Sequence, residues 1–233
     1  MADAFSAERT ARASVQVRDF VQQVYGWMAA ALAVTGFVAL AVSRSATMQQ
    51  IIFGTPIVFY GLIIGQLVLV VWLSARIGRM SASTATTVFI LYSMLNGLTL
   101  SAIFLVYAES TIALAFFVTA GMFGVMTLYG FFTKTDLTRF GNLLGMALLG
   151  FVIASVVNLF LRSEAFYWIV TYAGIVIFTG LIAYDSQRIK EMALAGVGRG
   201  DEGQRHAVMG ALRLYLDFVN LFLLLLRVFG RRR

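Results

Sequence analysis

Residues 207–229 read AVMGALRLYLDFVNLFLLLLRVF, an apolar run that nonetheless carries two arginines, an aspartate and an asparagine. As a helix rising about 1.5 Å per residue, this run exceeds the ~30 Å hydrocarbon layer of a bilayer. Arg213, Asp217, Asn220, Leu224 and Arg227 recur at steps of four, three, four and three, which places them in one stripe. Nine residues separate Asp217 from Arg227. That is about 14 Å of helix, so a full crossing takes Asp217 into the low-dielectric layer. An ionised carboxylate there costs several kcal/mol unless it is paired, protonated or wetted, and marks function by default. A helix with this stripe is poorly suited to face lipid on every side. The sequence therefore predicts a last helix packed against, or surrounded by, the others.

The rest of the chain supplies those others. Of 233 residues, 60% are hydrophobic and 12% charged, and the mean hydropathy is +0.86. Soluble domains carry roughly 25% charged residues, so the composition is that of a multi-span membrane protein. Seven apolar segments stand out, at about 21–42, 51–74, 82–107, 111–132, 141–161, 165–186 and 207–229. They are continuously apolar rather than alternating, and the chain has one proline, which argues against a β-barrel. The expectation is an all-α membrane protein: a seven-transmembrane helical bundle with the last helix central. Its domain organisation is a tail at 1–20, a membrane domain at 21–230 and a basic tail at 231–233. The first span follows a polar tail and precedes more spans, so it reads as a retained helix rather than a cleaved signal.

Asp185 is the second unusual acid. It ends the sixth segment, in Ala183-Tyr184-Asp185-Ser186-Gln187-Arg188, whereas the acids other than Asp185 and Asp217 fall in the N-terminal tail or in polar connections. Two readings of the pair stay open on spacing alone. One is an internal lock, with Arg213 one turn before Asp217 and Arg188 three residues after Asp185. The other is a proton or ion site.

Counting Lys and Arg by connection orients the chain. One side collects Arg9, Arg12, Arg18, Arg76, Arg79, Lys134, Arg139, Arg188, Lys190, Arg199 and Arg205; the other has Arg44, Arg162 and Arg231 to Arg233. The N-terminus is thus expected in the cytoplasm. With seven crossings the last three arginines fall on the opposite side, against the charge rule, so the last segment either crosses despite them or re-enters and returns. The net charge of +7 follows this distribution and gives no reason to expect nucleic acid.

Further candidates have ordinary readings. The longest connection, 187–206, contains Gly196, Gly198, Gly200 and Gly203 and reads as a flexible connector. It lacks the preceding strand and following Lys-Ser/Thr of a phosphate loop. His206, the sole histidine, reads as a solvated loop residue. With no cysteine and no second histidine, a zinc site has no support. Gly61-xxx-Gly65 and Gly141-xxx-Gly145 read as small-residue packing faces, and Gln66, Asn96 and Asn158 as interhelical hydrogen-bonding groups, with Asn96 also a candidate to line a cavity. No cofactor is expected. An intramembrane enzyme is not expected either, since neither aspartate sits in a Gly-x-Gly-Asp motif.

Leu214-Tyr215-Leu216-Asp217-Phe218-Val219-Asn220-Leu221-Phe222, continued by Leu225-Leu226-Arg227-Val228-Phe229-Gly230, resembles the last-helix motif of the Bax inhibitor-1 (transmembrane Bax-inhibitor-motif) family, particularly its bacterial inner-membrane members. Ala183-Tyr184-Asp185-Ser186-Gln187-Arg188-Ile189-Lys190 resembles that family's other aspartate segment. Asn96-Gly97-Leu98-Thr99-Leu100-Ser101 and Val24-Tyr25-Gly26-Trp27-Met28 agree too, so the resemblance spans nearly the whole chain. It implies a seven-helix bundle with the last helix at the centre and a pH-sensitive calcium leak. In that scheme Asp185 and Asp217 match two aspartates that share protons, and an arginine near the end of the second helix latches them closed. Arg76 and Arg79 are the candidates for the latch. Arg213 stands where relatives often carry a small or hydroxylated residue, and a permanent cation there bears on the pH of any switch.

Two neighbouring carboxylates in a desolvated site cannot both ionise cheaply, so such a pair titrates in coupled steps. Calcium takes 6–8 oxygen ligands. Asp185, Asp217, the Asn220 amide and waters supply an incomplete set, suited to transient passage. The resemblance also allows another class of function, a regulator that binds a membrane protease or other membrane complex through the tail at 1–20. Partners expected are the bilayer, Ca2+ and H+, and on this second reading the protease. Monomer and homodimer are both left open.

Overall fold

A computed structural model describes residues 2–196 and 200–230, with side chains from 17 onward. Its regular elements are helices: α1 (Ala2–Ser43), α2 (Ala46–Phe53), α3 (Pro56–Arg76), α4 (Ala82–Leu100), α5 (Ala102–Val106), α6 (Glu109–Phe132), α7 (Thr138–Leu161), α8 (Glu164–Leu194) and α9 (Asp201–Phe229). A single 3₁₀ turn, Ile77–Arg79, extends α3.

Among the described residues, seven helical stretches are long and apolar enough to cross a membrane: Val17–Ser43, Pro56–Arg79, Ala82–Val106, Glu109–Phe132, Thr138–Leu161, Glu164–Leu194 and Asp201–Phe229. Each corresponds to one expected segment. The last is the most enclosed, with 72% of its most apolar 18 residues buried against 33% or less in the other six.

Local chemistry sets the boundaries. Ser45 and Ser81 cap α2 and α4 by accepting from the Met48 and Thr84 amides, which satisfies N–H groups that a helix start leaves orphaned. The only proline, Pro56, opens α3, where its missing N–H and fixed φ cost nothing. This break puts the start of the second span five residues later than hydropathy alone suggested, with the preceding apolar residues forming α2. At the head of α7, the Asp136 carboxylate accepts from the Thr138 amide (2.9 Å) and the Thr138 hydroxyl. Those two bonds, aided by Arg139, hold the Asp136 carboxyl below the usual carboxylate range.

The largest departure from expectation lies in α8. The sixth segment was expected to end near 186 with a flexible connector to 206, but α8 continues to Leu194 and α9 begins at Asp201. The reason is side-chain bonding and burial along the polar half. Gln187 accepts from the Leu137 amide (2.8 Å) and donates to the Thr135 carbonyl (2.9 Å). Lys190 donates to the Phe131 carbonyl at 2.6 Å, while Ile189 and Ala193 are buried. Gly203 and His206 consequently lie in α9, where the His206 ring nitrogen meets the Glu202 carbonyl at 2.9 Å. Gly196 and Gly200 adopt left-handed φ of 67° and 70°, and Gly198 lies outside the described residues.

The chain divides into two compact units. The first holds α1 to α5 with Met192–Tyr215. Within it, α1 packs on α4, α2 and α5, and α3 packs on α4 and α2. Gly97 permits the close approach of α1 and α4, since a Cβ there would lie 2.7 Å from the Thr35 carbonyl oxygen and 2.8 Å from Val38 Cβ. The start of α9 is tied down by charge. The Asp201 carboxylate accepts from the Ala82 amide (3.2 Å to each oxygen), and Arg205 donates to the carbonyls of Gly78 and Met80.

The second unit holds α6, α7, α8 as far as Glu191, and α9 from Leu216. Phe116 and Phe123 both meet the Phe218 ring, with centroids 5.6 Å apart, and Phe151 meets Phe178 edge-on. Gly130 lies against the Ala183 carbonyl and Ser186, Gly141 against Tyr184, and Gly174 against Phe151 and Leu224. The two expected small-residue faces behave differently. Gly141 packs closely, whereas a Cβ at Gly61, Gly65 or Gly145 would meet nothing within 4 Å.

Candidate functional site

Asp185 and Asp217 are both buried, at 8% and 5% exposure, and both belong to the second unit. The extension of α8 changes the setting of Asp185. Nine further helical residues follow it, about 14 Å of helix. It therefore lies well inside the helix rather than at its end, flanked by buried Ala183, Ser186 and Gln187. Asp217 follows sixteen residues after Asp201, the first of α9, which sets it about 24 Å along that helix. Its Oδ2 is closed to solvent. In a helix that crosses a membrane, such a group is stabilised only by its immediate surroundings.

The predicted stripe on α9 is graded. Asp217 and Leu224 are buried, Arg213 and Asn220 half-buried, and Arg227 exposed. Asn220 donates its amide to the Leu216 carbonyl one turn back, at 2.8 Å. Arg227 places its guanidinium 5.5 Å from the centre of the Tyr167 ring, a cation–π contact.

Of the other candidates, Arg188 is exposed and its Nη1 donates to the Tyr184 hydroxyl at 3.4 Å. Arg76 and Arg79, at the end of α3 and in the 3₁₀ turn, are both exposed. Among the described residues no cluster of three or more His, Cys, Asp or Glu side chains forms a metal-holding group.

Asn96 is buried and interhelical. It donates to the Tyr215 hydroxyl at 2.9 Å, and that hydroxyl also meets Thr35 Oγ1 at 2.7 Å. Thr35 donates onward to the Ser93 carbonyl, at 2.9 Å. Phe89 and Tyr92 stand edge-on to the Tyr215 ring, with centroids 5.7 and 5.9 Å away. In this first-unit cluster α1, α4 and α9 share one hydrogen-bonded node. Gln66 bonds likewise between helices, accepting from Thr99 at 3.2 Å.

Sequence reasoning missed Tyr215 as that node and Gln187 as the clamp of the 133–137 turn. Tyr215 offered a signal: a hydroxyl two residues before Asp217 in an otherwise aliphatic run needs a partner once buried. Gln187 offered none, because its partners are backbone groups of a distant turn.

Seven apolar helices and carboxylates buried within two of them define an all-helical membrane protein with ionisable groups in its spans. Comparison places it further. The family described as "Inhibitor of apoptosis-promoting Bax1" matches residues 17–233. The Inner membrane protein YbhL of Escherichia coli is 52% identical over 223 residues, 95% of this chain and 94% of that protein. An uncharacterized protein of Borreliella burgdorferi is 44% identical over 214 residues, 92% of each chain, and one of Rickettsia prowazekii 40% over 219, 93% and 91%. The chain belongs to the Bax-inhibitor family.

Proposed function

We propose that the chain is a pH-sensitive calcium leak of the bacterial cytoplasmic membrane, with its N-terminus in the cytoplasm. Asp185 and Asp217 share protons and together form the transient cation site. The observation that carries this reading is the burial of both carboxylates inside membrane-length helices of one compact unit. Two carboxylates that share a proton titrate as a coupled pair, and they supply part of the oxygen shell that calcium requires. An incomplete shell favours passage over storage. The Escherichia coli relative is named as an inner membrane protein, and identity along nearly the whole chain supports the same membrane here.

The test is calcium flux into proteoliposomes holding the purified full chain, recorded from about pH 6 to about pH 8 so that any proton-linked change shows as a slope. Asp217→Asn and Asp185→Asn should each change the flux and flatten its pH response. Unchanged flux and pH response in both variants would sink the reading. Deleting residues 1–20 separates it from a regulator of a membrane complex: a leak keeps its flux, whereas a regulator loses partner capture.

A further inference from the structure

At the other end of the second unit, the turn before α6, the end of α7, the start of α8 and the end of α9 line a cleft of about 740 Å³. Its lining includes Arg162, Arg227, Glu164, Asn158, Tyr107 and Trp168. Alternate crossing puts these four helix ends on one membrane face, opposite the connection between α8 and α9. The volume is that of a small-molecule site.

Three features of the cleft specify a ligand. Its lining holds two arginines and one glutamate, a net positive set, and Arg227 is held over the Tyr167 ring. Guanidinium forks match phosphate. Asn158 lines the cleft, and its Oδ1 receives no hydrogen bond and is closed to solvent as it stands, so a turn of the amide toward the cleft brings an unpartnered acceptor to a ligand hydroxyl or ammonium donor. Arg162 ends α7 in the left-handed conformation, φ 50°, with its amide bonded to the Asn158 carbonyl. Glycine is the residue that fits such a cap without strain. The chain instead accepts strain there and sets a guanidinium at the mouth of the cleft.

We infer that this cleft binds the phosphate headgroup of a membrane phospholipid bearing a hydrogen-bond donor, with Arg162 and Arg227 on the phosphate and Asn158 on the donor. The position at a membrane face and the interfacial Tyr167, Trp168 and Tyr107 favour a lipid over a soluble phosphate ester. The sequence places three more arginines directly after Gly230, and an anionic leaflet offsets the charge that the topology rule disfavours there.

Native mass spectrometry of the full chain, released from detergent with phosphatidylglycerol or phosphatidylcholine, tests this. Phosphatidylcholine carries the phosphate without a donor. The wild type should retain phosphatidylglycerol preferentially, and Arg162→Gly and Arg227→Gln should each lower retention about tenfold, as for loss of one charge-assisted hydrogen bond. Arg162→Gly keeps the helix cap, so its melting temperature should match or exceed the wild type while binding falls. Equal retention of the two lipids, or retention unaltered in Arg162→Gly, overturns the proposal. Displacement by soluble glycerol phosphate at concentrations equal to the lipid's also overturns it, in favour of a soluble ligand.

Discussion

Asn96 of α4 and Tyr215 of α9 are joined by a 2.9 Å hydrogen bond, and the same hydroxyl meets Thr35 of α1 at 2.7 Å. Buried polar groups so joined contribute little while satisfied and cost much when orphaned. Tyr215→Phe keeps the ring contacts with Phe89 and Tyr92 and leaves Thr35 its bond to the Ser93 carbonyl, but it strands the Asn96 amide. The expected loss is about 1–2 kcal/mol, above the ~0.6 kcal/mol average for interhelical bonds in membranes. Reversible unfolding in mixed micelles measures it, and no loss would mean that the node is not formed.

Gly97 and Gly61 should respond oppositely to alanine. At Gly97 the new methyl meets the Thr35 carbonyl and Val38, so α1 and α4 must separate, at about 1–3 kcal/mol. At Gly61 the methyl meets nothing within 4 Å, and unfolding in micelles should be unchanged or slightly harder. Similar behaviour of the two variants would contradict the close approach of α1 and α4.

The clamp formed by Gln187 predicts a local effect. Gln187→Leu removes the bonds to the Leu137 amide and the Thr135 carbonyl without emptying the site. Amide hydrogen exchange at Leu137 should quicken, while exchange in α3 stays unchanged.

Asp136 gives a pH dependence with a definite sign. Its folded-state carboxyl is held low by the bonds from Thr138. Its contribution is therefore fully present above the ordinary carboxylate range and disappears as pH falls through the lowered value. Asp136→Ala should lower the melting temperature at neutral pH, by a small amount because the group is exposed. The gap between variant and wild type should close in acid. A gap that persists there would show that the carboxylate's charge is not its cause.

The spans were legible in the sequence because continuous hydropathy is a strong signal, and the stripe on α9 was legible because its polar residues interrupt that signal at helical spacing. The burial of Asp217 followed from the short run to Arg227. The true length of α8 did not, since Gln187, Arg188, Lys190 and Glu191 break the continuous hydropathy there. What makes them helical is bonding to residues 131–137, far along the chain. The reading of Asp185 as the end of its segment rested on hydropathy, whereas the helix runs nine residues further. The Tyr215 node depended on which helices meet, which periodicity leaves open.

The one buried residue of α3 is Leu73, and Ile57, Tyr60, Ile64, Leu67, Val68 and Val71 all stand exposed along it. The chain has no cysteine. A single cysteine introduced at Gly61 or Gly65 would thus be its sole thiol, on a helix face with room for a label and few neighbours to disturb. A spin or fluorescent probe attached there would sense bilayer depth and order directly, without a background of native thiols to remove.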